Sequence, residues 1–189
     1  MPHIDVANDL PGIRSLVAFR PEMGHALYDL AETLLRTESP LSPADRELIA
    51  AHVSSLNQCF FCTQSHAAAA RHLCSEGEAE RVDAVLADPR TAPVSDKLRA
   101  LLAIAAKVQA GGRNVAEEDV ARARAEGASD VEIHDTVLVA AAFCMFNRYV
   151  DGLASWAPAD PAVYDEMGRR MAEQGYSARF AQVVRTPAP

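Results

Sequence analysis

Long apolar runs are missing from these 189 residues: the longest, Val137 to Phe146, falls well short of the span a helix needs to cross a bilayer. Basic runs are missing too. With 18 Lys and Arg against 26 Asp and Glu, and a formal net charge of −8, the chain offers no surface for a nucleic acid or an anionic membrane. The opening Met-Pro-His-Ile-Asp-Val-Ala-Asn-Asp carries acids where a secretory leader carries positive charge, and no adequate apolar segment follows it. A soluble, cytoplasmic protein is the expectation. Cysteine is scarce, at four residues, and in a reducing compartment four cysteines are not a disulfide framework. A close pair among them then points to catalysis or metal binding.

Alternating strand character is also absent beyond a few residues, so the fold class read from the pattern is all-α. The 49% hydrophobic content is enough for one core, and residues 1–189 are expected to form a single helical domain. Residues 1–20 hold an apolar strip, Leu10, Ile13, Leu16, Val17 and Phe19, suited to a short helix or an arm on a neighbour. Three- and four-residue apolar spacing predicts helices over 22–37 and 43–56, the second opened by Ser42 as N-cap and Pro43 at the first turn. A helix bearing Cys59 then runs to Leu73, with Asn57 as its expected N-cap. Further helices are expected over 76–87, from Ser95 to Gly111, over 116–126, over 130–155 and over 161–174, with a loose Arg185-Thr-Pro-Ala-Pro189 tail. The middle of the 130–155 helix is apolar on every side, which suits the domain centre or a contact with partner subunits. The small run Ala67–Ala70 suits close helix packing or the approach of another chain. Asp45-Arg-Glu47-Leu-Ile and Asp130-Val-Glu132-Ile-His134 echo each other, each opening a helix after a serine.

The chemistry-bearing residues converge on one stretch, Glu47 to His66. At about 100° per residue, Cys59, Cys62 and His66 fall within roughly 60° of one another and share a helical face. Placement near a helix start favours thiolate over thiol, through unpaired backbone N–H groups and the positive end of the macrodipole. The i,i+3 spacing can also bring the two sulfurs within disulfide range after slight adjustment. A thioredoxin fold is excluded because a helix, not a strand, precedes the Cys-x-x-Cys. A zinc site could use Cys59, Cys62 and His66, but no second ligand cluster exists and Cys74 makes a poor fourth ligand. Two core cysteines with a surface histidine would be the bland alternative.

The pattern Glu47-x11-Cys59-x-x-Cys62-x3-His66 resembles the signature of the alkylhydroperoxidase D-like branch of the carboxymuconolactone decarboxylase superfamily. Ser42-Pro-Ala-Asp-Arg-Glu47-Leu-Ile-Ala50 is similar to that family's approach to its acidic residue. Val137-Leu-Val-Ala140 and Asn147-Arg148-x-x-Asp151-Gly152 are similar to its peroxidase-related subgroup. The likeness spans roughly residues 10–157. It implies an all-helical fold assembling into trimers or hexamers, and a thiol peroxidase that uses no metal, haem or other cofactor. Carried over, it makes Cys62 the peroxidatic thiolate, Cys59 the resolving thiol, and Glu47 with His66 the proton relay. The partners it implies are a hydroperoxide substrate and an external dithiol or thioredoxin-like reductant. One departure stands out: Phe61 occupies the place before the second cysteine where the best-known members have histidine.

Two rivals remain at this level. The wider superfamily includes lactone-directed and decarboxylating enzymes that work without a Cys-x-x-Cys, and a redox-sensing oligomer would oxidise without turnover. Outside the motif, His52 reads as a surface or interface histidine, Cys144 as inert core, and Cys74 as structural with no activator. Asn147, Arg148 and Asp151 need partners near the end of the buried helix, and His134 belongs with them.

Overall fold

The computed structural model describes residues 2–185. Ten α-helices occupy them: α1 (Ile13–Phe19), α2 (Pro21–Arg36), α3 (Pro43–Leu56), α4 (Phe60–Leu73), α5 (Glu80–Ala87), α6 (Asp96–Ala110), α7 (Glu117–Ala125), α8 (Asp130–Gly152), α9 (Pro161–Gln174) and α10 (Ser177–Arg185). No strand occurs among the described residues, and the fold is all-α. No helix among them is long and apolar enough to cross a membrane.

The helix buried on every side is α3. From Arg46 to Ser54 each of its residues is buried, and α4, α6, α8, α2 and α5 pack around it. Its start is fixed locally: Ser42 Oγ accepts the Asp45 amide at 3.1 Å, and Pro43 sits at the first turn. Helices α6 and α8 begin the same way, on Ser95 and Ser129, and Glu132 closes a capping box by accepting the Ser129 amide at 2.7 Å. The echo between the two helix starts therefore fails in register. Asp45 and Glu132 share the third helical position, whereas Glu47 lies two residues deeper and points into the core.

Helix α8 departs from the expectation of burial all round. Val139, Ala140, Phe143 and Phe146 are inside, while Val131, Leu138 and Met145 remain exposed along one stripe. The alanine run of α4 is spent within the chain, since Ala67–Ala70 are all buried. A Cβ added to Gly168 of α9 would stand 2.5 Å from the Ala68 carbonyl carbon, so this glycine is what lets α9 lie directly on α4. The N-terminal segment is pinned across the molecule: the His3 amide donates to the Leu153 carbonyl at 3.0 Å, and the Gly12 amide to the Trp156 carbonyl at 2.9 Å.

Helix α10 is a correction. Sequence reading places the last helix at 161–174, yet Ser177–Arg185 is helical and sends Tyr176, Phe180 and Val183 into the core. Of the tail expected to be loose, Arg185 ends α10, and residues 186–189 lie outside the described residues.

Candidate active site

Packing α3 against α4 brings the acid of one to the imidazole of the other. Glu47 has a fully buried side chain, and its two oxygens take three charged or polar partners. Oε2 lies 2.7 Å from His66 Nδ1, and Oε1 accepts from Arg36 Nη2 and the Tyr176 hydroxyl, each at 2.6 Å. Burial alone would raise the carboxyl pKa. The His66 charge and hydrogen bond, then the Arg36 charge and the Tyr176 hydrogen bond, outweigh it, and the carboxyl is held below its ordinary range. Glu47 is thus a buried anion. Glu47 holds the Nδ1 side of the His66 ring and makes no bond to Nε2. The ring is held edge-on to Phe143 at 4.5 Å between centroids and stacked on Tyr176 at 6.2 Å.

The cysteine pair stands at the start of α4, with a different cap from the one expected. Asn57 is not the N-cap. It ends α3 in a right-handed conformation, Gln58 takes the left-handed one at φ 61°, and Cys59 itself caps α4. The Cys59 amide donates to the Ser54 carbonyl at 3.0 Å, and the Cys59 carbonyl accepts the Thr63 amide at 2.9 Å. Asn57 is occupied elsewhere: it donates to Asn147 Oδ1 at 2.8 Å and accepts from Gln109 at 2.9 Å, while Asn147 donates to Ser54 Oγ at 3.0 Å. This chain of amides ties the cysteine turn to α6 and α8.

Both cysteines are buried free thiols. The Cys59 thiol is pushed far up, first by its hydrogen bond with Cys62, then by burial and by the charge of Cys62, with a further contribution from Asp151. Burial and the neighbouring sulfur therefore hold Cys59 as a thiol. Phe61, the residue that departs from the resembled motif, is buried; its ring fills the space where a Cβ on Gly12 would lie, 2.3 Å away. Gly12 takes φ 57°, so a side chain there would suffer both collision and strain.

Cys62 and His66 line one cavity of about 60 Å³, with Ser65 between them in sequence. Its other walls are largely apolar, from Leu27 on α2, Phe143 and Phe146 on α8, and Met167 and Met171 on α9. The four residues expected to act together thus fall into two contacts, Cys59 with Cys62 and Glu47 with His66, joined along α4. No hydrogen bond links Glu47 to either cysteine among the described residues.

Arg36 and Tyr176 are site residues that sequence reading missed. Arg36 ends a helix eleven positions before Glu47, and Tyr176 arrives from 129 positions after it, on the segment leading into the unexpected α10. The 176, 180, 183 apolar spacing was the available signal for that helix. His52, expected at the surface or an interface, is buried at 4% exposure, its Nε2 has no partner among the described residues, and burial pushes its pKa down to about 4. Cys74, read as structural, lies close enough to the Arg81 guanidinium to raise its pKa. Arg148 donates to the Cys144 carbonyl of its own helix at 2.8 Å instead of to a carboxylate, and His134 meets Asp135 at the surface at 3.0 Å. No cluster of His, Cys, Asp and Glu suited to a metal ion occurs among the described residues.

Comparison with known proteins places this site in a family. The model of the carboxymuconolactone decarboxylase family matches residues 21–92, which contain Arg36, Glu47, both cysteines and His66. A crystal structure of an uncharacterized peroxidase-related protein from Silicibacter sp. TM1040 is 32% identical, with a TM-score of 0.73 over 84% of this chain and 81% of that one. A second, of an uncharacterized peroxidase-related protein with an alkylhydroperoxidase AhpD core from Ralstonia eutropha JMP134, is 26% identical, with a TM-score of 0.74 over 85% and 82%. A protein of unknown function from Agrobacterium tumefaciens, at 24% identity and a TM-score of 0.64, shares the fold. No curated protein matches the chain. The chain belongs to the carboxymuconolactone decarboxylase family, in its alkylhydroperoxidase D-like branch.

Proposed function

We propose that the protein is a thiol peroxidase that reduces organic hydroperoxides through Cys62 and Cys59, with His66 and Glu47 as proton relay. The observation that carries this reading is the buried Glu47 anion on Nδ1 of His66, a ring that lines the same cavity as Cys62. His66 takes the Cys62 proton. The thiolate attacks the terminal oxygen of the hydroperoxide, the O–O bond breaks, and the sulfur becomes a sulfenic acid. The electron pair leaves on the alkoxide, which recovers the proton from His66 and departs as an alcohol. The Cys59 thiol, which has kept its proton, then condenses with the sulfenic acid, releasing water and forming the disulfide. An external dithiol returns the pair to thiols by exchange and is itself oxidised. A homo-oligomer is the assembly in which this operates.

The test is the initial rate of hydroperoxide consumption with a dithiol supplied. Cys62→Ser abolishes turnover. Glu47→Gln lowers the rate by on the order of 10²–10⁴, as loss of general acid–base catalysis does, with little change in the disulfide equilibrium. Turnover that survives Cys62→Ser would move the protein to the lactone-directed side of its family, and oxidation without turnover would make it a sensor.

A further inference from the structure

A hydroxyl without a protein partner lies in the cavity of the cysteine pair. Ser65 is 4% exposed, lines the cavity between Cys62 and His66, and its Oγ has no hydrogen-bond partner among the described residues. On a helix such a hydroxyl ordinarily turns back to the carbonyl four residues earlier. Three threonines of this chain do so: Thr33 bonds Asp29, Thr63 bonds Cys59 and Thr136 bonds Glu132, at 2.7–2.9 Å, while the buried Ser54 is engaged by Asn147. Ser65 does not. Leaving a buried hydroxyl unpaired costs about 1–3 kcal/mol, and such groups in native structures have an explanation in function or in a bound molecule.

We infer that Ser65 Oγ is the seat for the oxygens of the hydroperoxide, donating its hydrogen bond to the alkoxide oxygen as it leaves; the inference rests on the thiol peroxidase reading and deepens it. The chemistry fits the group. As Cys62 attacks the terminal oxygen, negative charge grows on the oxygen that carries the organic residue, inside a cavity whose walls are mostly apolar, with Arg14, Tyr28 and Tyr176 as its other polar residues besides His66. An O–H donor one helical turn from the nucleophile, with no protein acceptor to give up, answers that charge. His66 supplies the proton that completes the alcohol, so the serine hydroxyl keeps its own. Before the reaction the same hydroxyl holds the substrate, because a hydroperoxide offers two acceptor oxygens and one donor.

Removing an oxyanion donor of this kind lowers kcat by on the order of 10²–10³. The experiment compares the wild type with Ser65→Ala in the single-turnover reaction with cumene hydroperoxide and, separately, in alkylation of Cys62 by iodoacetamide. The inference expects the peroxide rate to fall on the order of 10²-fold, the alkylation rate to stay within about twofold, and the pH at which the peroxide rate rises to stay in place. Tyr164→Phe is the matched control. Its hydroxyl is also buried without a partner, and its ring packs with Cys59 and Cys62, but it is not among the residues lining the cavity. That variant should retain the wild-type peroxide rate. A fall in both rates for Ser65→Ala, a fall in neither, or the same defect in Tyr164→Phe would overturn the inference. A wild type that alkylates but never consumes peroxide would sink the peroxidase reading and this inference with it; a wild type that turns over undisturbed by Ser65→Ala would sink this inference alone.

Discussion

Glu47 stays ionised in a site without exposure only because three donors converge on its two oxygens. Removing a partner from such a cage is more damaging than the pair is stabilising, since a buried charge is left unanswered. Another buried titratable group, His52, has taken the opposite course and is neutral. Its pKa of about 4, lowered from 6.5 by burial, means the unfolded chain binds a proton over that window while the folded chain does not. Stability from this group is present above the unfolded value and is lost as pH falls through the folded one, by on the order of 3 kcal/mol in total. Denaturant titrations from pH 7 to pH 4 should show the wild type losing more stability than His52→Leu by roughly that amount; parallel curves would mean that His52 is not the acid-sensitive group. At this scale the sequence carried Glu47, Cys59, Cys62 and His66, because a local spacing on two successive helices encodes them. It did not carry Arg36 and Tyr176, whose meeting with Glu47 depends on how distant helices pack. His52 departs from its sequence reading because α3 has no solvent face over Arg46–Ser54.

The boundaries of α2, α3 and α6 follow from caps and prolines that are visible in the sequence, whereas α5 starts at Glu80, four residues after the expected 76, on an Ala79 that offers no side-chain cap. The start of α4 does not follow from them, because Asn57 is drawn into the amide chain with Asn147 and Gln109, leaving a left-handed Gln58 and the cap to Cys59. Nor does α10, whose apolar stripe is short and whose partners, Tyr28 and His25, lie far back in α2. The contact between α4 and α9 is where one atom decides an element's position. Gly168→Ala drives a Cβ into the Ala68 and Ala69 backbone at 2.5–2.7 Å, a collision with main chain that no rotamer can relieve. Overpacking of this kind costs about 1–3 kcal/mol. The thermal midpoint should drop by roughly 4–8 °C for a loss in the middle of that range. Because α9 also supplies Met167 and Met171 to the cavity, the variant's peroxide rate should fall as well, and an unchanged melting curve would show that α9 can slide without penalty.

At the scale of the whole molecule, the unexplained surface is the open stripe of α8. Val131, Leu138 and Met145 recur every seven residues and are 52%, 42% and 43% exposed, which puts three large apolar side chains in line along one helix. Seven-residue spacing is the repeat with which one helix meets another along a seam. The alanine run of α4, offered by the sequence as a second meeting place, is already consumed by α9, and among the exposed apolar side chains those of α8 form a row along one helix that can carry an interface. A net charge of −8 repels like chains at long range, so association must come from apolar area brought out of water at short range. The expected occupant is a second copy of this chain, its own α8 laid along the stripe. Leu138→Glu would place a carboxylate at the middle of that seam, where two copies oppose it. Light scattering at low micromolar concentration should give a multiple of the 20.3 kDa chain mass for the wild type and a smaller species for Leu138→Glu. The thermal unfolding of the variant separates loss of assembly from loss of fold, since an exposed leucine contributes little to the core of its own chain. A wild type that scatters as a single chain would leave the stripe uncovered and remove the case for assembly through α8.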